Sequence, residues 1–170
     1  GFAAGFTGDA LLLELRRLGV NADFIRLQNG LTRINVKLRD TRDTEFNAPG
    51  PCPDAEETAA LAQRLSALAA GDTLVLSGSL PVGIPPDTYR TVLAGLAGRG
   101  VRAVVDAAGP ALWEALPERP FLIKPNREEL SALVGRALRT REELADGARV
   151  LQRRGARSVL VSLGAEGALL

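Results

Sequence analysis

Lys124, Asn126 and Glu129 stand close together where the apolar run Phe121-Leu122-Ile123 stops at Pro125 and a helical pattern begins. Their types suit phosphate chemistry. An ammonium neutralises phosphate oxygens, and a carboxylate can hold magnesium directly or through water. A strand feeding a helix N-terminus is also where α/β proteins bind phosphate-bearing ligands. The only lysines in the chain are Lys37 and Lys124, so an ammonium at this junction is not background. The Asn-x-x-Glu spacing is equally that of a capping box, with Asn126 as cap and Glu129 reaching back. The two roles can coexist.

Other candidates have their own plain alternatives. Ser77-Gly78-Ser79-Leu80-Pro81 follows an apolar run, and its hydroxyls, Ser79 included, could bond a sugar hydroxyl. The same residues also make an ordinary turn. Arg33 and Asn35 alternate with Ile34, Val36 and Leu38, and Lys37 follows on their side. A guanidinium fork matches phosphate and an amide matches a hydroxyl, although a solvated strand face would read the same way. Ser162-Leu163-Gly164-Ala165-Glu166-Gly167 could lie flat against a nucleotide or simply turn a hairpin. Asp106, after another apolar run, is either a site residue or the cap of the turn at Ala107-Ala108-Gly109.

The elements that must position these groups alternate. Leu74-Val75-Leu76, Val101 to Val105, Phe121-Leu122-Ile123 and Val159-Leu160-Val161 are continuous apolar runs. Such strands imply burial on both faces and a parallel sheet. Helical patterns separate most of them. Leu11, Leu12, Leu15 and Leu18 predict one apolar face, and Leu61, Leu65 and Leu68 a second. Pro86 suits the first turn of a third helix, with Tyr89, Val92, Leu93 and Leu96 inward. A fourth carries Leu144, Ala148 and Leu151. Gly19, Gly71, Gly100 and Gly155 fall where helices give way to strands. The reading is an α/β fold, a three-layer αβα sandwich with a mostly parallel sheet. Residues 28–50 break the rhythm with period-two alternation, a turn over Asp40 to Asp43 and a return strand at Thr44 to Asn47. They predict an inserted antiparallel hairpin, a flap over a site or a dimer contact.

Composition narrows the classes. The chain has 170 residues, 21 basic and 20 acidic, for a net charge of +1. That balance gives no electrostatic case for nucleic acid or an anionic membrane. No histidine is present, so histidine triads and histidine metal sites are excluded. The single Cys52 excludes an internal disulfide and suggests a reducing, cytoplasmic setting. No run approaches a membrane span. Gly1 opens inside an apolar glycine-rich segment and Ala168-Leu169-Leu170 reads as a strand, so a piece of a longer protein is expected.

Six ordered segments carry a family resemblance over nearly the whole chain. They are Gly5-Phe6-Thr7-Gly8-Asp9, Thr32 to Lys37, Asn47 to Pro51, Ser77 to Pro81, Lys124 to Leu130 and Val161 to Gly167. Together they resemble the PfkB (ribokinase-like) carbohydrate kinases, most closely the 1-phosphofructokinase and tagatose-6-phosphate kinase branch. The resemblance implies residues 1–170 as a partial ribokinase-like domain with 28–50 as its β lid. It implies ATP-dependent phosphorylation of a sugar phosphate, foremost fructose 1-phosphate to fructose 1,6-bisphosphate. Arg33, Asn35 and Ser79 would then bind substrate. Lys124, Asn126, Ser162, Gly164 and Gly167 would bind ATP, and Asn126 with Glu129 would support Mg2+. A homodimer through the lid is implied as well. The family's Gly-Gly-Lys-Gly-type and Gly-Ala-Gly-Asp segments do not occur in these residues, and the second carries the catalytic aspartate. The piece alone is therefore expected to be inactive. The alternatives are a tagatose-6-phosphate kinase or 6-phosphofructokinase, and, outside catalysis, a nucleotide- or sugar-phosphate-binding module.

Overall fold

The computed structural model describes residues 1–40, 44–81 and 83–170. They form two compact units.

The first unit comprises Gly1–Leu65 with Pro81–Ile84. Strand β1 (Phe2–Ala4) enters helix α1 (Gly5–Arg17), and β2 (Ile25–Leu27) pairs parallel to β1. Ala4, Ile25 and Leu27 are buried together against Ala60 and Leu61 of helix α2 (Ala55–Leu65). The apolar stripe of α1 differs from the expected one. Gly8 is its buried residue and Leu12 and Leu15 are half-buried, while Leu11 and Leu18 face solvent. Gly8 marks the inward face, where packing is close: a Cβ there would meet Thr32 and Ala3 at 3.0–3.2 Å. Leu68 lies beyond the end of α2. The expected hairpin is present as β3 (Asn35–Leu38) antiparallel to β4 (Thr44–Asn47), with Val36 opposite Phe46. Thr41, Arg42 and Asp43 of its turn lie outside the described residues.

The second unit comprises Ser66–Leu80 with Pro85–Leu170. Its sheet has the order β5 (Thr73–Ser77), β6 (Arg102–Asp106), β7 (Leu122–Ile123), β8 (Ser158–Val159), all parallel. Helices α3 (Thr88–Gly95), α4 (Gly109–Ala115), α5 (Arg127–Val134) and α6 (Arg141–Arg154) connect the strands. Leu93, Leu112, Leu130, Leu144 and Leu151 from these helices share one core with Val105, Ile123 and Val159 from the sheet. Two-sided burial fails for β5, where Val75 is 57 % exposed. That strand is the edge of the sheet, and Val75 points away from the face on which Leu76 meets the core. Pro86 sits in the turn before α3 rather than in its first helical turn. The run at residues 159–161 divides at Leu160. β8 ends at Val159, and β9 (Val161–Ser162) turns back into antiparallel β10 (Ala168–Leu169).

Gly155 closes α6 with φ of 141°. A Cβ there would lie 1.9 Å from the carbonyl oxygen of Leu116, so the helix end presses directly on neighbouring main chain.

Candidate active site

The strands β5 to β8 deliver their C-terminal ends to one edge of the second unit, the edge where open α/β sheets bind ligands. Main-chain bonds stitch that edge. Gly78 N–H donates to Asp106 O at 2.9 Å, Lys124 N–H to Val105 O at 3.1 Å and Ser162 N–H to Pro125 O at 3.0 Å. Ser162 also forms an isolated parallel bridge with Asn126. Lys124, Asn126 and Ser162 therefore come from consecutive positions along one edge.

Val105 pairs with Ile123, so Asp106 and Lys124 are next in register. Their side chains meet, Lys124 Nζ to Asp106 Oδ1, at 3.0 Å, with both partly open to solvent. The sequence left Asp106 undecided between site and turn cap. It is an ion-pair partner, and only strand register reveals this. A half-exposed pair of this kind adds about 1 kcal/mol or less to stability. Its interest is that it holds the ammonium at the strand ends.

Pro125 stops β7, and Asn126 adopts extended backbone as the cap of α5. Asn126 Oδ1 accepts the Glu129 N–H at 2.8 Å, and Asn126 N–H donates to Glu129 Oε2 at 2.8 Å. The capping box is thus complete. Arg127 reaches from the same turn to Arg139 O at 2.9 Å and to Glu166 at 3.1 Å. It ties the start of α5 to the 3-10 turn Gly164–Glu166, which Gly167 ends with its N–H donating to Gly164 O. Leu163 N–H closes that turn onto Gly167 O at 2.9 Å. The Ser162 to Gly167 segment is a hairpin turn, and its position beside Asn126 keeps the ligand reading available.

Ser77-Gly78-Ser79 leaves β5 with Gly78 at φ 91°, a conformation that favours glycine. Tyr89 Oη donates to the Gly78 carbonyl at 3.2 Å. Burial of Tyr89 pushes its pKa up, so the phenol stays a neutral donor. Sequence reasoning placed Tyr89 in the core and missed this anchoring of the loop that carries Ser79. A cavity of about 630 Å³ opens beside Glu129, between Pro110 and Trp113 of α4 and Leu133 of α5.

In the first unit Arg33 precedes β3. Its approach is fixed by Thr32, whose Oγ1 accepts the Ala4 N–H at 2.9 Å and whose carbonyl accepts the Thr7 hydroxyl at 2.8 Å. Asn35 lies opposite Asn47, and Lys37 opposite Glu45. Lys37 Nζ contacts Glu45 at 2.6 Å, and hydrogen bonds from Lys37 and then Asn47 hold the Glu45 carboxyl below its usual range. The Lys37 cation is therefore engaged within the hairpin. Among the described residues no group of three acidic, cysteine or histidine side chains could hold a metal, and no helix is long and apolar enough to cross a membrane.

The model of the pfkB family carbohydrate kinases matches residues 1–170. The chain belongs to the pfkB family of carbohydrate kinases. It is 38 % identical over 170 residues to a 1-phosphofructokinase of Bacillus subtilis, covering 100 % of this chain and 56 % of that protein. It is 35 % identical over 171 residues to a D-tagatose-1-phosphate kinase of Bacillus licheniformis, covering 99 % and 56 %. The solved phosphofructokinase-2 from Escherichia coli in complex with fructose-6-phosphate superposes with a TM-score of 0.87 at 32 % identity, covering 99 % of this chain and 57 % of that one. The chain thus spans a little over half the length of these pfkB relatives. Its fold is the ribokinase-like α/β fold, a central parallel sheet with helices and additional antiparallel strands.

Proposed function

We propose that the protein to which this chain belongs transfers the γ-phosphoryl group of ATP to a sugar phosphate, foremost fructose 1-phosphate. One observation carries the reading. Lys124, Asn126, Glu129 and Ser162 gather at the C-terminal edge of the parallel sheet, in a chain that matches the pfkB family along its whole length.

Phosphoryl transfer depends on positioning and charge neutralisation. Lys124 supplies the cation, and Asn126 with the Ser162, Gly164 and Gly167 turn borders the ATP. Asp106 holds the ammonium until phosphate oxygens take its place. Arg33, Asn35 and Ser79 bind the phosphosugar, and residues 28–50 act as the lid. The donor chemistry fits Mg2+ held through its own waters. One Glu129 oxygen is committed to the cap, which leaves the other to a hydrated ion, and magnesium keeps several waters in such sites. Bound there, the ion would neutralise developing charge on the phosphates. The 170 residues contain no Gly-Ala-Gly-Asp segment, so by themselves they should not turn over. A cytoplasmic setting is in keeping with the free Cys52.

The homodimer belongs to the same reading. Ile34, Val36, Leu38 and Phe46 are 45–57 % exposed. Val36 and Phe46 share one hairpin face, an apolar surface suited to a second copy.

A tagatose phosphate is the second substrate reading, favoured by the D-tagatose-1-phosphate kinase relative. That relative is named for the 1-phosphate, where the sequence suggested the 6-phosphate. Rates on fructose 1-phosphate, fructose 6-phosphate and both tagatose phosphates, measured with the full-length protein and ATP, test the proposal. The highest kcat/KM is expected on fructose 1-phosphate. ATP consumption with none of the four would overturn the kinase reading.

A further inference from the structure

At the other end of the β5–β6–β7–β8 sheet, where the strands begin, a cavity of about 380 Å³ opens. Arg102, Arg119 and Arg157 line it. Arg102 starts β6, Arg119 ends the 3-10 turn Leu116–Glu118, and Arg157 immediately precedes β8. Strand pairing brings these points together. Phe121 N–H donates to Ala103 O at 2.8 Å, and Arg157 N–H to Pro120 O at 3.0 Å.

Among the described residues none of the three guanidiniums forms an ion pair. Glu118 also lines the cavity, but its carboxylate faces Arg90 at 3.4 Å. Leu93 and Phe121 supply apolar wall, with the Arg102 guanidinium 5.9 Å from the Phe121 ring centre.

Arg119 adds an independent observation. Its φ of 57° makes it the one non-glycine residue in the left-handed region among the described residues. Long side chains are uncommon there, and glycine would sit without strain. Backbone strain of this kind motivates a search for function. The conformation closes the 3-10 turn, Arg119 N–H donating to Leu116 O at 3.0 Å, and among the described residues no hydrogen bond or ion pair of its side chain calls for arginine there.

We propose that this cavity is a second anion site, taking a small phosphate monoester or diphosphate. Guanidinium forks match phosphate oxygens in pairs. Three of them without carboxylate partners answer the charge of such a group, and Phe121 with Leu93 would carry its organic part.

The test is a titration of inorganic pyrophosphate into the full-length protein labelled with 15N-arginine, read at the arginine Nε–Hε resonances. The site-resolved readout separates this cavity from phosphate binding near Lys124. Saturable shifts of Arg102, Arg119 and Arg157 with one shared Kd are expected. Arg119→Gly should weaken that Kd by about tenfold or more, the scale of losing one charge-assisted contact. Its thermal midpoint should be equal to or above the parent's, since glycine relieves the strain. Arg153→Ala, on the exposed side of α6, should leave the Kd unchanged. The proposal is overturned if the three resonances do not saturate, if Arg119→Gly binds as tightly as the parent, or if Arg153→Ala weakens binding equally.

Discussion

Asp106 and Lys124 face each other across the ends of two adjacent parallel strands, carboxylate to ammonium at 3.0 Å. Each occupies the first position beyond a buried pair, Val105 and Ile123. The pair is too open to matter much for folding and well placed to matter for ligands. Lys124→Ala should change stability by less than about 1 kcal/mol. In the full-length protein it should lower kcat/KM by ~100-fold or more, the usual scale for removing a donor to developing charge. Thermal unfolding and ATP-coupled kinetics measured together check this. A large loss of stability with unchanged kinetics would reassign Lys124 to the scaffold.

The chain contains its own control for the role of Glu129. Thr140 and Glu143 build a second capping box at the start of α6, on the exposed surface and outside the residues assigned to the ligands. Glu129→Gln and Glu143→Gln should lower the thermal midpoint similarly. Only Glu129→Gln should reduce activity, by at least about tenfold if it supports a hydrated metal, and excess Mg2+ should recover part of that loss. Equal activity in the two variants would leave Glu129 as a cap alone.

Backbone N–H groups of Arg139 and then Thr140 hold the Glu143 carboxyl below its ordinary pKa. A depressed folded pKa stabilises the protein at pH values above the unfolded value of about 4.3. That contribution is lost as pH falls through the folded value. Unfolding midpoints followed as pH falls from about 6 through and below the ordinary carboxylate range should fall more steeply for the parent than for Glu143→Gln. Parallel curves would exclude the box as a source of acid sensitivity.

Tyr89→Phe removes the hydroxyl that holds the Gly78 carbonyl. The expected stability loss is about 1 kcal/mol, the net value of one hydrogen bond. Because the anchored loop carries Ser79, the KM for the phosphosugar should rise while the KM for ATP stays put. A rise in both would mean that the loop serves the whole edge.

Val36→Lys places a charge on the exposed apolar face of the hairpin. It should convert a dimer into a monomer by light scattering with the fold intact by circular dichroism. An unchanged mass would move the interface elsewhere.

Much of the scaffold was legible because buried parallel strands announce themselves as unbroken apolar runs. Leu74 to Leu76, Val104-Val105 and Leu122-Ile123 all lie in strands. Where the pattern misled, solvent geometry was the cause. The edge position of β5 exposes Val75, and the close packing at Gly8 moved the buried stripe of α1 off Leu11. The local motif at Asn126 and Glu129 could be read because both partners fall within one turn. The Asp106–Lys124 and Arg127–Glu166 pairs could not, since each joins residues far apart in sequence and depends on strand register or on a turn. Likewise, nothing in the spacing of Arg102, Arg119 and Arg157 hints that three strand starts converge.

The contact of Gly155 with the Leu116 carbonyl sets a boundary on how this sequence can drift. At 155 every codon change to another amino acid drives a methyl group or more into main chain. Gly164 differs: its φ of 59° meets empty space, and asparagine or aspartate can adopt that backbone. Substitution at 164 is limited by its backbone and by the nucleotide it is proposed to border rather than by packing, while position 155 stays closed.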